Sequence, residues 1–129
     1  EVDHKPVKQA YGFNFLNRNK KLTISGDTRP CENIMKYAQN ADVLLHEVFI
    51  DGELKVDNKM RTKKTLHNVR SYHTPSTIVG KIAKLTKCKK LVLTHLVPTV
   101  FNEKKLIHTV KADFGKNPII GKDLLTINI

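Results

Sequence analysis

The chain has 129 residues and a formal charge of +11, from 23 basic against 12 acidic side chains. That size suits one domain, and that charge favours polyanionic partners such as RNA, nucleotides, or phosphate and sulfate esters. Hydrophobic and charged fractions of 40% and 27% exclude a wholly disordered chain. No apolar run approaches the length of a membrane span, so no membrane partner is expected, and no secretory signal opens the chain. Cys31 and Cys88 stand without a Cys-x-x-Cys pair. This excludes a disulfide scaffold and a finger-type zinc site, and points to reduced, buried thiols in a cytoplasmic protein. Most lysines are spaced singly, as they also would be on a plain solvated surface. Glu1 is no initiator Met, so the chain is expected to begin inside a longer protein.

In chain order, residues 1–9 are polar, with Pro6 imposing an extended lead-in. Tyr11, Phe13 and Phe15 alternate with Gly12 and Asn14, the period of a half-buried strand. The turn Asn17-Arg18-Asn19-Lys20 returns the chain as a second strand over Lys21–Ser25. That strand runs into Ser25-Gly26-Asp27-Thr28-Arg29-Pro30-Cys31, the stretch around which the rest is organised. A strand stopping at Gly-Asp puts a carboxylate at its C-terminal end, where open α/β sheets place ligands. Asp27 also suits a plain helix cap. Thr28 is expected to cap the helix that follows over 30–40, with Pro30 in its first turn.

Asp42–Val48 is a short apolar strand leading into His46-Glu47. Residues 51–71 are basic, with Leu66 and Val69 as one helix face, and suit a lid or variable insertion. Thr74 and Pro75 are expected to open a helix carrying Ile78, Ile82, Ala83 and Leu85, followed by a buried strand over Lys89–Thr94 that ends at His95. A further amphipathic helix spans Asn102–Phe114, and two short strands at 118–120 and 124–129 close the chain. His67 and His108 fit surface positions.

Strands alternating with helices argue an α/β layer structure. Three strand ends carry metal-ligand side chains: Asp27, His46 and His95. Carboxylate and imidazole donors suit zinc or another first-row dication, so a metal hydrolase is the natural hypothesis. An HExxH zincin helix at His46-Glu47 is excluded, because the second histidine is missing.

Five stretches occur in a familiar order: Ala10-Tyr11-Gly12-Phe13, Ser25 to Glu32, Ala41 to Glu47, Tyr72-His73-Thr74 and Leu91 to His95. Together they resemble the C-terminal half of a metallo-β-lactamase-fold hydrolase of the ribonuclease Z and arylsulfatase-like branch. The resemblance implies an α/β (α+β) fold, half of a four-layer αββα sandwich, with a mixed sheet carrying helices on one face. Residues 1–129 would be that half-domain. It implies two zinc ions per complete site, with Mn or Fe as substitutes, bridged by Asp27 and with His95 on one of them. His73 would contact the scissile phosphate and move a proton, alongside Asp27 in catalysis. His46, Glu47, Thr28 and His4 would stand behind the metals or at the substrate. His46-Glu47 is followed by Val-Phe where ribonuclease Z has Ala-Thr, which leaves the role of that Thr unfilled.

The chain departs from the family in two ways. The His-x-His-x-Asp-His ligand motif is absent, as is the further histidine that precedes this half. The polypeptide by itself therefore lacks a full ligand set, and a missing N-terminal half or a second chain, a homodimer included, is expected to cover its open sheet. Only a short turn stands where bacterial ribonuclease Z inserts its tRNA-docking arm. That moves the expectation from tRNA processing toward a smaller phosphodiester or sulfate ester. The alternative is a non-catalytic, basic nucleic-acid- or protein-binding module that retains the fold.

Overall fold

The computed structural model describes residues 1–56 and 62–129. The central part of the basic segment expected at 51–71, residues 57–61, lies outside the described residues. One sheet of five strands in the order β1-β2-β3-β4-β5 organises the chain. The strands are β1 (Phe13–Asn17), β2 (Lys20–Ile24), β3 (Val43–Phe49), β4 (Lys90–Val97) and β5 (Ile119–Ile120). β1 and β2 form an antiparallel hairpin, and β2 through β5 run parallel. Each parallel step needs a crossover, and helices supply it. These are α1 (Glu32–Tyr37), then α2 (Lys63–Tyr72) with α3 (Ser76–Leu85), and finally α4 (Glu103–Phe114). The result is the expected mixed α/β layer, with helices packed on one face.

Strand alternation sorts the core. Leu44 and Val48 of β3 and Leu91 and Leu93 of β4 face the helices and pack on Ile34 and Ala38 of α1, Val79, Ile82 and Ala83 of α3, and Leu106 and Val110 of α4. α3 and α4 approach closely because Gly80 has no side chain; a Cβ there would stand 2.5 Å from the Val110 carbonyl oxygen. The other face is only partly covered. Leu22, Val43, Leu45, Val92 and Leu96 line a groove of about 470 Å³ whose far wall is the segment around Leu125, Ile127 and Ile129.

Several local expectations are corrected. α1 is only six residues long and its N-cap is Cys31, with no side-chain capping bond, so neither Asp27 nor Thr28 caps it. Pro75, not Thr74, precedes α3, also without a side-chain cap. The helix face expected from Leu66 and Val69 is present: α2 begins at Lys63 behind a Thr62 cap that accepts from Thr65 N–H. β1 is exposed along its whole length rather than half-buried, because among the described residues no second layer covers it. No strand forms over 124–129; β5 is the last. Cys88 is buried, but Cys31 is only half-buried, and both thiols are free.

Candidate metal and phosphoester site

Four segments meet at the carboxyl edge of the sheet. The first is the turn after β2. Gly26 holds φ at +62°, and a Cβ there would lie 2.2 Å from the Tyr11 carbonyl oxygen, so only glycine fits. The turn delivers Asp27 to the crevice as a half-exposed carboxylate.

The second segment is β4, which does not end at His95 as expected. It continues to Val97 and bulges there: Thr94 pairs with Glu47 and Leu96 with Val48, leaving His95 between them. His95 takes a left-handed φ of 42°, and such a bulge re-aims a side chain out of the strand's alternation. The imidazole thereby reaches Asp27, with Nε2 3.4 Å from Oδ2; the two side chains are 48% and 42% exposed.

The third segment is β3. His46 and Glu47 lie inside it, not at its end. Glu47 is nearly inaccessible, and its carboxylate gathers three donors. Oε1 accepts the Thr74 N–H at 2.6 Å and the Thr28 N–H at 3.4 Å, while Oε2 accepts from His73 Nδ1 at 3.2 Å. One buried carboxylate thus ties the Asp27 turn to the segment between α2 and α3. It also fixes the tautomer of His73: with the proton on Nδ1, Nε2 is the free ring nitrogen. The His73 ring lies 5.4 Å from that of His95.

His46 faces the other way, into the layer beneath the helices, and is fully buried. Its Nδ1 donates to the Glu47 carbonyl oxygen at 2.7 Å. Nε2 has no partner among the described residues, and burial pushes the imidazole pKa below its ordinary value. His46 therefore does not stand at the crevice, in contrast to the expectation of three convergent strand ends.

The lead-in segment closes the edge. His4 Nδ1 donates to the Tyr72 carbonyl oxygen at 2.8 Å. Its ring stands edge-on to Tyr72 at 5.0 Å and 5.1 Å from His73. Thr28 is fully buried; its hydroxyl accepts the Asp3 N–H at 3.1 Å, and its carbonyl accepts the Thr74 hydroxyl at 2.7 Å. Asp3 in turn holds Arg29 at 2.7 Å, and that guanidinium keeps the Asp3 carboxyl below the usual carboxylate range. Thr28 is thus a strut, and His67 and His108 are exposed as expected. The structural consequence of Glu47 as a three-donor hub, and of Asp3 as an anchor, had no signal in the spacing of the sequence.

Asp27 and His95 fit metal coordination by donor type and by proximity. Yet among the described residues no group of three His, Cys, Asp or Glu side chains could hold a metal ion, and a catalytic zinc takes about three protein ligands. Asp27 and His95 fall short of that number.

Parallel strands crossed over by helices on one face, with polar groups collected at the carboxyl edge, define an open α/β layer with a crevice site. The metallo-β-lactamase fold protein YhfI of Bacillus subtilis superposes with a TM-score of 0.72 at 24% identity, over 94% of this chain and 44% of its own. In sequence the chain is related to ribonuclease Z. It is 34% identical to ribonuclease Z of Bacillus licheniformis over 113 residues, 83% of this chain and 33% of that protein. It is 26% identical to ribonuclease Z of Mycobacterium tuberculosis over 130 aligned positions, 99% of this chain and 46% of that protein. The chain spans a third to a half of the length of these relatives, and no protein-family model matches it.

Proposed function

We propose that residues 1–129 are the C-terminal half of a metal-dependent hydrolase that cleaves phosphodiesters, with RNA as the substrate class. The observation that carries this reading is the meeting of Asp27 with His95 at 3.4 Å beside a histidine, His73, oriented by a buried carboxylate. The ribonuclease Z relatives and the charge of +11 favour RNA over a sulfate ester. Asp27 and His95 would hold zinc, with Mn or Fe as substitutes, and the remaining ligands would come from the absent N-terminal half or from a second chain laid on the open sheet face. When bound, the metal supplies a water of lowered pKa and offsets the charge that builds on the ester oxygens.

The residues of this chain do the rest. In its doubly protonated form, with Nδ1–H held by the Glu47 carboxylate, His73 donates its Nε2 proton to the leaving oxygen as that oxygen's bond to phosphorus breaks, and is left as the Nδ1–H tautomer. His4 braces the Tyr72-His73 backbone, while Thr28 and His46 support the turn and the strand from behind. A cytoplasmic setting accords with the two free thiols, and among the described residues no helix is long and apolar enough to cross a membrane.

The test uses the intact protein with bis(p-nitrophenyl) phosphate, p-nitrophenyl sulfate and a short RNA. Phosphodiester hydrolysis is expected to vanish on chelation and return with zinc. His73→Ala is expected to slow RNA cleavage far more than release of p-nitrophenolate, which needs no proton to leave. Hydrolysis indifferent to chelator and to Asp27→Asn overturns the reading, and preference for the sulfate corrects the substrate. The two-donor metal site favours one second reading, a non-catalytic RNA-binding module, whose mark is steeply salt-dependent binding with no metal effect.

A further inference from the structure

The sheet has a second polar edge, opposite the first. β2, β3 and β4 are parallel, with Leu22, Val43 and Lys90 in register. The residues that open them therefore lie side by side: Lys20 and Lys21, then Asp42, then Lys89 and Lys90. Lys87, in the left-handed turn that leaves α3, precedes this row, and Lys116, beyond α4, donates to the Lys89 carbonyl oxygen at 3.4 Å. Asp42 is the carboxylate at the centre. It accepts from Lys89 Nζ and from the Lys21 N–H, both at 2.8 Å, and the ammonium and N–H together hold its carboxyl below the usual range.

The other lysines are not neutralised. Among the described residues Lys20, Lys21, Lys87, Lys90 and Lys116 form no ion pair, whereas Lys105 pairs with Glu53 and Arg70 with Asp51. Lys21 and Lys90 donate instead to the backbone carbonyls of Gln39 and Asn128, at 2.9 and 2.6 Å. The lysines of the row are all exposed except the half-buried Lys21. Like charges gathered on one edge repel one another and add nothing to the stability of the fold. A linear polyanion relieves that repulsion. Neighbouring strands lie about 4.8 Å apart, so the row from Lys20 to Lys90 crosses roughly 10 Å and Lys116 extends it. A row of that length meets more than one phosphate of a single strand.

We propose that this lysine edge is a docking surface for an RNA phosphate backbone, separate from the carboxyl-edge site. The choice of RNA among polyanions rests on the phosphodiester reading above. Lys90 and His95 stand on one strand about 17 Å apart, a distance that a structured RNA spans easily.

The experiment measures binding of a short RNA oligonucleotide to the intact protein in excess chelator, which withholds the metal that the proposed cleavage requires, across a salt series. The triple variant Lys20→Glu, Lys90→Glu, Lys116→Glu is compared with a control of equal charge change on the helices, Lys81→Glu, Lys84→Glu, Lys104→Glu. The edge triple is expected to weaken binding and to flatten the slope of log K against log salt by about 2, at about 0.7 per lost phosphate contact. The corresponding alanine triple is expected to flatten it equally, and the helix control is expected to change it less than half as much. Equal loss in both triples, no loss in the edge triples, or edge-dependent binding to phosphatidylserine vesicles but not to RNA overturns the proposal. Bis(p-nitrophenyl) phosphate hydrolysis needs no docking surface. Hydrolysis with edge-independent RNA binding therefore fails this inference alone, and edge-dependent binding without any hydrolysis fails the hydrolase reading alone.

Discussion

Two acid–histidine pairs lie within one crevice and differ in almost every physical respect. Glu47 and His73 are 1% and 7% exposed, and the carboxylate is saturated by two backbone N–H groups and one imidazole. Asp27 and His95 are 42% and 48% exposed and meet at 3.4 Å. Burying an ionised carboxylate costs several kcal/mol unless its oxygens are hydrogen-bonded, so the first pair exists only as part of the folded scaffold. The second keeps its solvation, adds little to stability, and leaves lone pairs free for a ligand. One pair builds the site and the other faces what enters it.

That contrast is sharpest in activity. In the intact protein Asp27→Asn and His95→Ala are each expected to lower phosphodiester hydrolysis about 10³-fold, roughly 4 kcal/mol of barrier. Unfolding in urea is expected to shift by no more than about 0.5 kcal/mol, as for surface changes generally. Destabilisation comparable to that of a core variant would break the division between the pairs.

Glu47→Ala strands the Thr74 and Thr28 N–H groups and His73 Nδ1 in a dry site. Its expected cost is about 3 kcal/mol in denaturant unfolding, with activity falling as the Asp27 turn and His73 lose their shared anchor. Glu47→Gln, which can still accept from Thr74, is expected to recover part of the stability but not the proton transfer.

A third test concerns pH. His46 is buried and its pKa is depressed, so below about pH 6.5 the unfolded chain binds a proton that the folded chain refuses. Its contribution is intact above that pH. It is lost as pH falls toward the depressed folded value, with a slope of up to about 1.4 kcal/mol per pH unit. His46→Leu is expected to flatten that part of the stability–pH curve; an unchanged curve would mean that another group titrates there.

The smallest effect belongs to Arg29→Ala. Its ion pair with Asp3 is 2.7 Å long but partly exposed, with side chains 42% and 28% accessible, and such pairs contribute about 1 kcal/mol or less. Thermal unfolding in low and high salt is the check, and a larger loss would promote the lead-in segment from brace to structural member of the site.

The element order could be read almost completely from period and punctuation. Alternation marked β1, a turn and apolar runs marked β2 to β4, helical spacing marked all four helices, and the Gly-Asp-Thr and Leu-Thr-His stretches marked the carboxyl edge. The errors are local and share a cause. Capping by Thr28 and Thr74 was a sound inference from residue type, but both hydroxyls are recruited by segments remote in sequence, Asp3 and the Thr28 carbonyl. The half-buried appearance of β1 assumed a layer that the described residues do not contain. His46 could not be assigned to a face, since alternation tells which residues share a side but not which side is covered.

By itself the sequence determined that β2 and β4 run parallel and deliver Asp27 and His95 to the same edge, because helical crossovers between adjacent strands permit little else. Only the tertiary structure decided that these two side chains meet, because the bulge at His95 is a one-residue slip defined against β3 and is invisible in β4 alone. It also decided that Glu47 is a buried hub and that the lysines opening three strands form one edge. Hydrogen bonds between distant segments and the addition of charge across parallel strands are properties of neighbours in space, and local sequence carries no record of them.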